Sequence, residues 1–246
     1  MDGKTLTRRQ LLGIFGTAGV ACLLGETMSE GNNLVPAKNA VDHLLLGVAD
    51  LDYGITWIER LTGVKAIVGG SHPSVGTRNA LISLGLRQYL EIIAPDPLQK
   101  TYTSAIDVRK LSEPRLIAWA AVSTNLDDSV KKAQEAGNQV LGPRDGSRAR
   151  PDGRILKWRT MRVLNKAAIN GVDPIPFFIQ WAADSLHPAE DSPKGCELLS
   201  FEIEHPDPTK VVEALTKLDI EAKVRQADNA KLIATLKTLK GRVLLS

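Results

Sequence analysis

The chain has 246 residues, 43% of them hydrophobic and 24% charged, which is enough to bury a large core in one domain or a few small ones. Its net charge of +3 is small and dispersed, with no basic run interleaved with aromatics, so nucleic acid is not an expected partner. The two cysteines, Cys22 and Cys196, exclude a disulfide framework and a CxxC metal site.

In chain order, the first feature is a targeting segment. Arg8-Arg9 and Leu11-Leu12 open an uncharged run that ends at Leu24, followed by polar Glu26 to Asn33. The run is too short to span a bilayer, where about 20 residues are needed, and reads as a signal peptide. Its paired arginines and glycine-diluted apolar stretch resemble a twin-arginine export signal. The expectation is an exported, periplasmic protein whose residues 1–36 are signal and linker, with no transmembrane segment in the mature chain. An uncleaved anchor and lipidation at Cys22 remain alternatives.

Residues 37–98 read as a βαβββ module. Ala40–Val48 is a strand, Asp50 caps a helix through Leu61, and Gly63 stops it. Val64–Val68, Thr77–Leu84 and Gln88–Ala94 complete it as strands. Residues 113–183 repeat the order. There the strand Arg115–Ser123 and a helix from Asn125 to Ala136 precede strands at Gln139–Leu141, Ile155–Val163 and Pro176–Trp181. Gly142–Gly153 and Asn165–Asp173 read as connections. Residues 196–246 give a third, smaller copy, with a helix opened by Asp207-Pro208. The predicted fold class is α+β: paired βαβββ modules forming one curved mixed sheet around a cleft, plus a C-terminal βαβββ-like unit. Helices lie outside, and a ligand would enter the cleft.

Candidate residues cluster on the first module. Alternation puts His43, Leu45 and Gly47 on one face of the first strand, and Tyr89, Glu91 and Ile93 on one face of the last. Glu91, between Leu90 and Ile92, is costly to bury unless a positive group meets it. His72 sits in a loop, either over the cleft as an acid or base or in solvent. Asn79 and Thr77 are one hairpin from Glu91. Trp158 and Trp181 are pocket walls or core, and Arg159 and Arg78 bind an anionic substrate or are solvated. His187, His205 and Cys196 read as structural.

Val41-Asp42-His43-Leu44-Leu45-Leu46-Gly47-Val48, His72-Pro73 through Gly85, Tyr89-Leu90-Glu91-Ile92, Leu156-Lys157-Trp158-Arg159 and Pro176 to Trp181 together resemble the glyoxalase-like branch of the vicinal oxygen chelate superfamily. The resemblance covers Asn39 to the C-terminus. It implies a divalent metal (Zn, Ni, Mn or Fe), one per cleft, held by His43, Glu91 and Gln180, with Ala118 at the fourth ligand position. It also implies catalytic roles for Glu91 and His72, and a pocket of Asn79, Thr77, Trp158, Arg159 and Trp181. The partner expected is a small oxygen-rich molecule, turned over by isomerase, lyase or dioxygenase chemistry. Metal-free sequestration of a ligand, as in bleomycin-resistance-like members, is the alternative, and a homodimer is left open.

Overall fold

The structure, a computed structural model, describes residues 34–104 and 106–246. The targeting segment read in residues 1–33 lies outside them. A short strand β1 (Val35–Pro36) and a helical turn α1 (Ala37–Ala40) lead into the first module. That module is β2 (Val41–Gly47), α2 (Leu51–Thr62), β3 (Ile67–His72), β4 (Thr77–Gly85) and β5 (Gln88–Pro95). The second is β6 (Arg115–Val122), α3 (Leu126–Glu135), β7 (Val140–Ala149), β8 (Ile155–Val163) and β9 (Phe177–Trp181). A short helix α4 (Pro188–Asp191) separates it from β10 (Glu197–His205), α5 (Pro208–Thr216), β11 (Ile220–Glu221), β12 (Val224–Gln226), β13 (Lys231–Thr238) and β14 (Gly241–Leu245).

The helices begin where their side chains can satisfy orphan N–H groups. Asp50 accepts from the Tyr53 amide, Asn125 from Asp128 and Asp207 from Lys210. Helix α2 ends at Gly63, whose φ of 77° suits a residue without a Cβ.

One eight-stranded sheet takes the order β3-β4-β5-β2-β6-β9-β8-β7. Each module contributes four strands in the same relative order, and the antiparallel pair β2–β6 joins them at their first strands. The fold class is therefore the expected α+β arrangement, a curled mixed sheet. Its two edges approach where Gly69 and Gly70 of β3 face Arg148 and Ala149 of β7. The large core lies on the opposite, convex side. There Leu44, Leu46 and Trp119 pack with α2 and with the third unit, Trp119 edge-on to Phe201 at 5.1 Å. The third unit opens with the same strand and helix, but its sheet is ordered β12-β10-β13-β14, with β10 between β12 and β13, while β11 pairs with β1.

Two strands differ from expectation. The second strand of module one runs Ile67–His72 rather than Val64–Val68, because a bulge after Val68 lets Ser71 and His72 pair with Arg78 and Thr77. In module two, the glycine- and arginine-rich stretch expected as a connection is a ten-residue strand, paired along β8 from Val140 to Ala149. It is an edge strand, so polar side chains face water without cost, and a register shift between Leu141 and Arg144 accommodates Pro143. No described helix is long and apolar enough to cross a membrane.

Candidate functional site

The concave face of the sheet encloses a cavity of about 460 Å³ lined from both modules, by His43, Tyr89 and Glu91 of the first and Trp158, Phe177 and Trp181 of the second. None of its lining comes from the third unit, whose sheet covers the convex side.

The pairing of β2 with β5 sets the centre of the site. In parallel register His43 lies beside Tyr89 and Leu45 beside Glu91, so the imidazole stacks on the Tyr89 ring at 4.6 Å. Its Nε2 comes within 3.6 Å of Glu91 Oε2. On its other side, His43 Nδ1 lies 2.8 Å from Asp42 Oδ1. An ionised carboxylate only accepts, so Nδ1 carries a proton and Nε2 is the nitrogen turned to the cleft. Asp42 is itself held at Oδ2 by Trp181 Nε1 and His187 Nε2, each at 3.1 Å. His187 donates because its Nδ1 accepts from the Ala189 amide. Burial pushes the Asp42 carboxyl up, but bonds from His187 and His43 outweigh it and bring its pKa to about 2.

Glu91 is oriented from the opposite side. Asn79 Nδ2 donates to Oε1 at 2.6 Å, and Arg148 Nη1 donates to Asn79 Oδ1 at 2.9 Å. This arginine reaches across from β7 because a Cβ at Gly69 would collide with its Nη1. His72 Nε2 is 3.9 Å from Glu91 Oε1, and its Nδ1 is 3.1 Å from Thr77 Oγ1. Burial pushes the Glu91 carboxyl up, but the charges of His43 and His72 and the Asn79 bond leave it below its ordinary value. Burial holds the His72 imidazole below its ordinary value.

The structure thus brings together His43, Glu91, His72, Asn79, Thr77, Trp158 and Trp181. His72 closes strand β3 and is not in a loop. Two candidates are corrected. The resemblance puts Gln180 among the metal ligands, but the cleft face of β9 carries Phe177, Ile179 and Trp181. Gln180 points the other way, accepting from Leu126 N and donating to Thr124 O at 3.0 Å each, as a brace on the start of α3. Arg159 also faces away from the cavity, in a bidentate pair with Asp127 at 2.8 and 2.9 Å. Gln180→Ala is accordingly expected to lower stability by about 0.5–2 kcal/mol, the scale of a lost helix cap, and to leave cation uptake unchanged. Urea denaturation and metal titration of the variant check both parts.

Asp42 and Arg148 escaped the sequence reading, which took His187 as structural. Strict alternation turns Asp42 away from His43, but a register irregularity between Val41 and His43 re-aims it. His187 is brought in by tertiary packing alone. Arg148 lay in the stretch taken for a connection, where the basic run Arg144 to Arg150 was the only signal.

A divalent cation of the kind the superfamily implies finds matching chemistry in part of this set. His43 has the tautomer of a metal ligand, fixed through Nδ1 by a carboxylate, and Glu91 Oε2 faces it beyond hydrogen-bond distance. Among the described residues no group of three or more His, Cys, Asp or Glu side chains could hold a metal ion between them. A cation here would therefore complete its shell with water or substrate oxygens. Ala118, beside Leu45, supplies no donor.

A search of curated proteins found no match. Among solved structures, a hypothetical protein from Staphylococcus aureus is similar over 78% of this chain and 87% of its own, at 18% identity and a TM-score of 0.60. Methylmalonyl-CoA epimerase from Mycobacterium tuberculosis matches 58% of this chain and 87% of its own, at 18% identity and a TM-score of 0.41. A methylmalonyl-CoA epimerase in complex with methylmalonyl-CoA and NH4+ matches 59% and 96%, at 20% identity and 0.43. At 18% identity the likeness to the first of these is one of fold. The model of a glyoxalase-like domain matches residues 41–218, most of the chain and both cleft-forming modules. With two βαβββ modules joined at their first strands around a shared cleft, this chain belongs to the glyoxalase-like domain family of the vicinal oxygen chelate superfamily.

Proposed function

We propose that this protein is a divalent-metal-dependent enzyme acting on a small oxygen-rich substrate in the cleft, by isomerase, lyase or dioxygenase chemistry. The observation that carries the reading is the convergence of His43 Nε2 and Glu91 Oε2, 3.6 Å apart on the cavity wall, each oriented by a buried partner behind it. His43 and Glu91 would hold the cation, and when bound it would polarise a substrate carbonyl or enolate oxygen as a Lewis acid. His43 is kept in one tautomer by Asp42. Asn79 fixes the Glu91 carboxylate. His72, on the far side of Glu91 and held below its ordinary pKa, is neutral near pH 7 and available to accept a proton. Trp158, Trp181 and Phe177 exclude water from the opposite wall.

The second reading, a metal-free binding protein, is favoured by Ala118 and by the apolar residues that β9 presents to the cleft. Elemental analysis of the purified protein separates the two, followed by titration of the chelated protein with Zn²⁺, Ni²⁺, Mn²⁺ and Fe²⁺. One cation per chain, lost in His43→Ala, is the expected result. A protein that arrives without metal and takes up none of the four ions sinks the enzyme reading and leaves the binder.

A further inference from the structure

The charges around the cavity are unbalanced. Glu91 is the one acidic side chain among the described lining residues, against three arginines, Arg144, Arg148 and Arg162, all from module two. Glu91 is approached by the imidazoles of His43 and His72 and not by Arg148, which is separated from it by the Asn79 amide. Arg148 is 5% exposed, yet the one hydrogen bond its side chain makes to the described residues runs from Nη1 to Asn79. A guanidinium has five N–H donors, and no other nitrogen of this one is both fully buried and unpartnered, so those donors are open to the cleft. Burial already pulls the Arg148 pKa down. Its remaining donors border the cavity.

We propose that Arg148 is the carboxylate-reading residue of the cleft, and that the natural ligand is a small carboxylic acid. The proposal deepens the reading above and rests on it only for the cleft as the place where the ligand sits. A carboxylate on the Arg148 fork satisfies the arginine in the two-pronged geometry guanidinium favours. One amide group further along the wall stand Glu91 and His43. The rest of the ligand meets Trp158, Met161, Phe177 and Ile179, which favour an apolar substituent over a second charge. Arg144 and Arg162, less buried, add to the field that draws an anion in. Gly69 belongs to the same device, since any side chain there would push Arg148 and Asn79 apart.

Mandelate and mandelamide test this, because they share shape and hydroxyl and differ in the charged end. Their binding to the full chain is measured by isothermal titration calorimetry, in chelator and again with Mn²⁺. Mandelate is expected to bind about 10- to 100-fold more tightly than mandelamide, the scale of a charge-assisted bond. Arg148→Met and Gly69→Ala are expected to erase that preference with mandelamide binding unchanged, and Arg148→Lys to retain part of it. Equal binding of the two ligands, binding of neither, or a preference that survives Arg148→Met overturns the proposal. Should the variants not fold, the ratio measured on the natural chain decides alone. A preference for mandelate in protein that takes up no metal would end the cation reading and leave this one standing. Metal uptake without the preference would do the reverse.

Discussion

Asp42→Ala is expected to destabilise the protein by about 3–5 kcal/mol, the usual cost of removing one member of a buried charged cluster. Asp42 is 1% exposed and accepts from His43, His187 and Trp181, which approach it from β2, the α4 turn and β9. Truncation leaves two imidazoles and an indole with donors in a dry cavity. Urea denaturation at pH 7 measures the effect, and a loss under about 1 kcal/mol would contradict the assignment. Asp127→Ala is the control, since it removes the same charge from an exposed pair with Arg159 and is expected to cost no more than about 1 kcal/mol.

The pH dependence of the natural protein follows the same carboxylate. The folded pKa of about 2 lies below the unfolded value of 3.8, so the unfolded chain takes up the proton first on acidification. The associated stability, about 2 kcal/mol, is complete above pH 3.8 and drains as pH falls towards 2. His72 adds a second decline that begins as pH falls through about 6.5, its unfolded value, because its folded form resists protonation. Asp42→Ala should lack the limb between pH 3.8 and 2 and keep the one that begins near 6.5.

Glu91→Gln is expected to weaken divalent cation binding by more than about 100-fold and to strengthen mandelate binding. The two effects have opposite signs and one cause. The amide keeps an acceptor for Asn79, so the fold is retained, but a ligand charge is lost and the positive field of Arg148 is no longer opposed. Metal titration and calorimetry on a single preparation read both. Equal losses of cation and anion binding would point to a collapsed pocket and count against the division of labour between Glu91 and Arg148.

Much of the fold was legible because it rests on local rules. Caps at Asp50, Asn125 and Asp207 marked helices, and alternation put His43 and Glu91 on faces that the sheet then brought together. Gln180 shows where that logic stops. Aligning Tyr89-Leu90-Glu91-Ile92 with the final strand of module two put a polar residue at a ligand position, yet a shift of one residue along a strand reverses the face. The register β9 takes against β6 and β8 turned Gln180 out and Ile179 in. Arg159, paired with Gln180, is placed on the outer face by the same register, one residue from Trp158 on the cleft face.

What the sequence determined by itself was the succession of elements and the face on which each regular strand shows its side chains, since both depend on neighbours within a few residues. Only the tertiary structure decided what stands behind and across from the central pair. Asp42 is turned by an irregularity between two strands, His187 arrives from 145 residues away, and Arg148 crosses from one edge of the sheet to the other through the gap at Gly69. Those contacts depend on how the sheet curls and closes, and no periodicity in the chain encodes the distance between its edges.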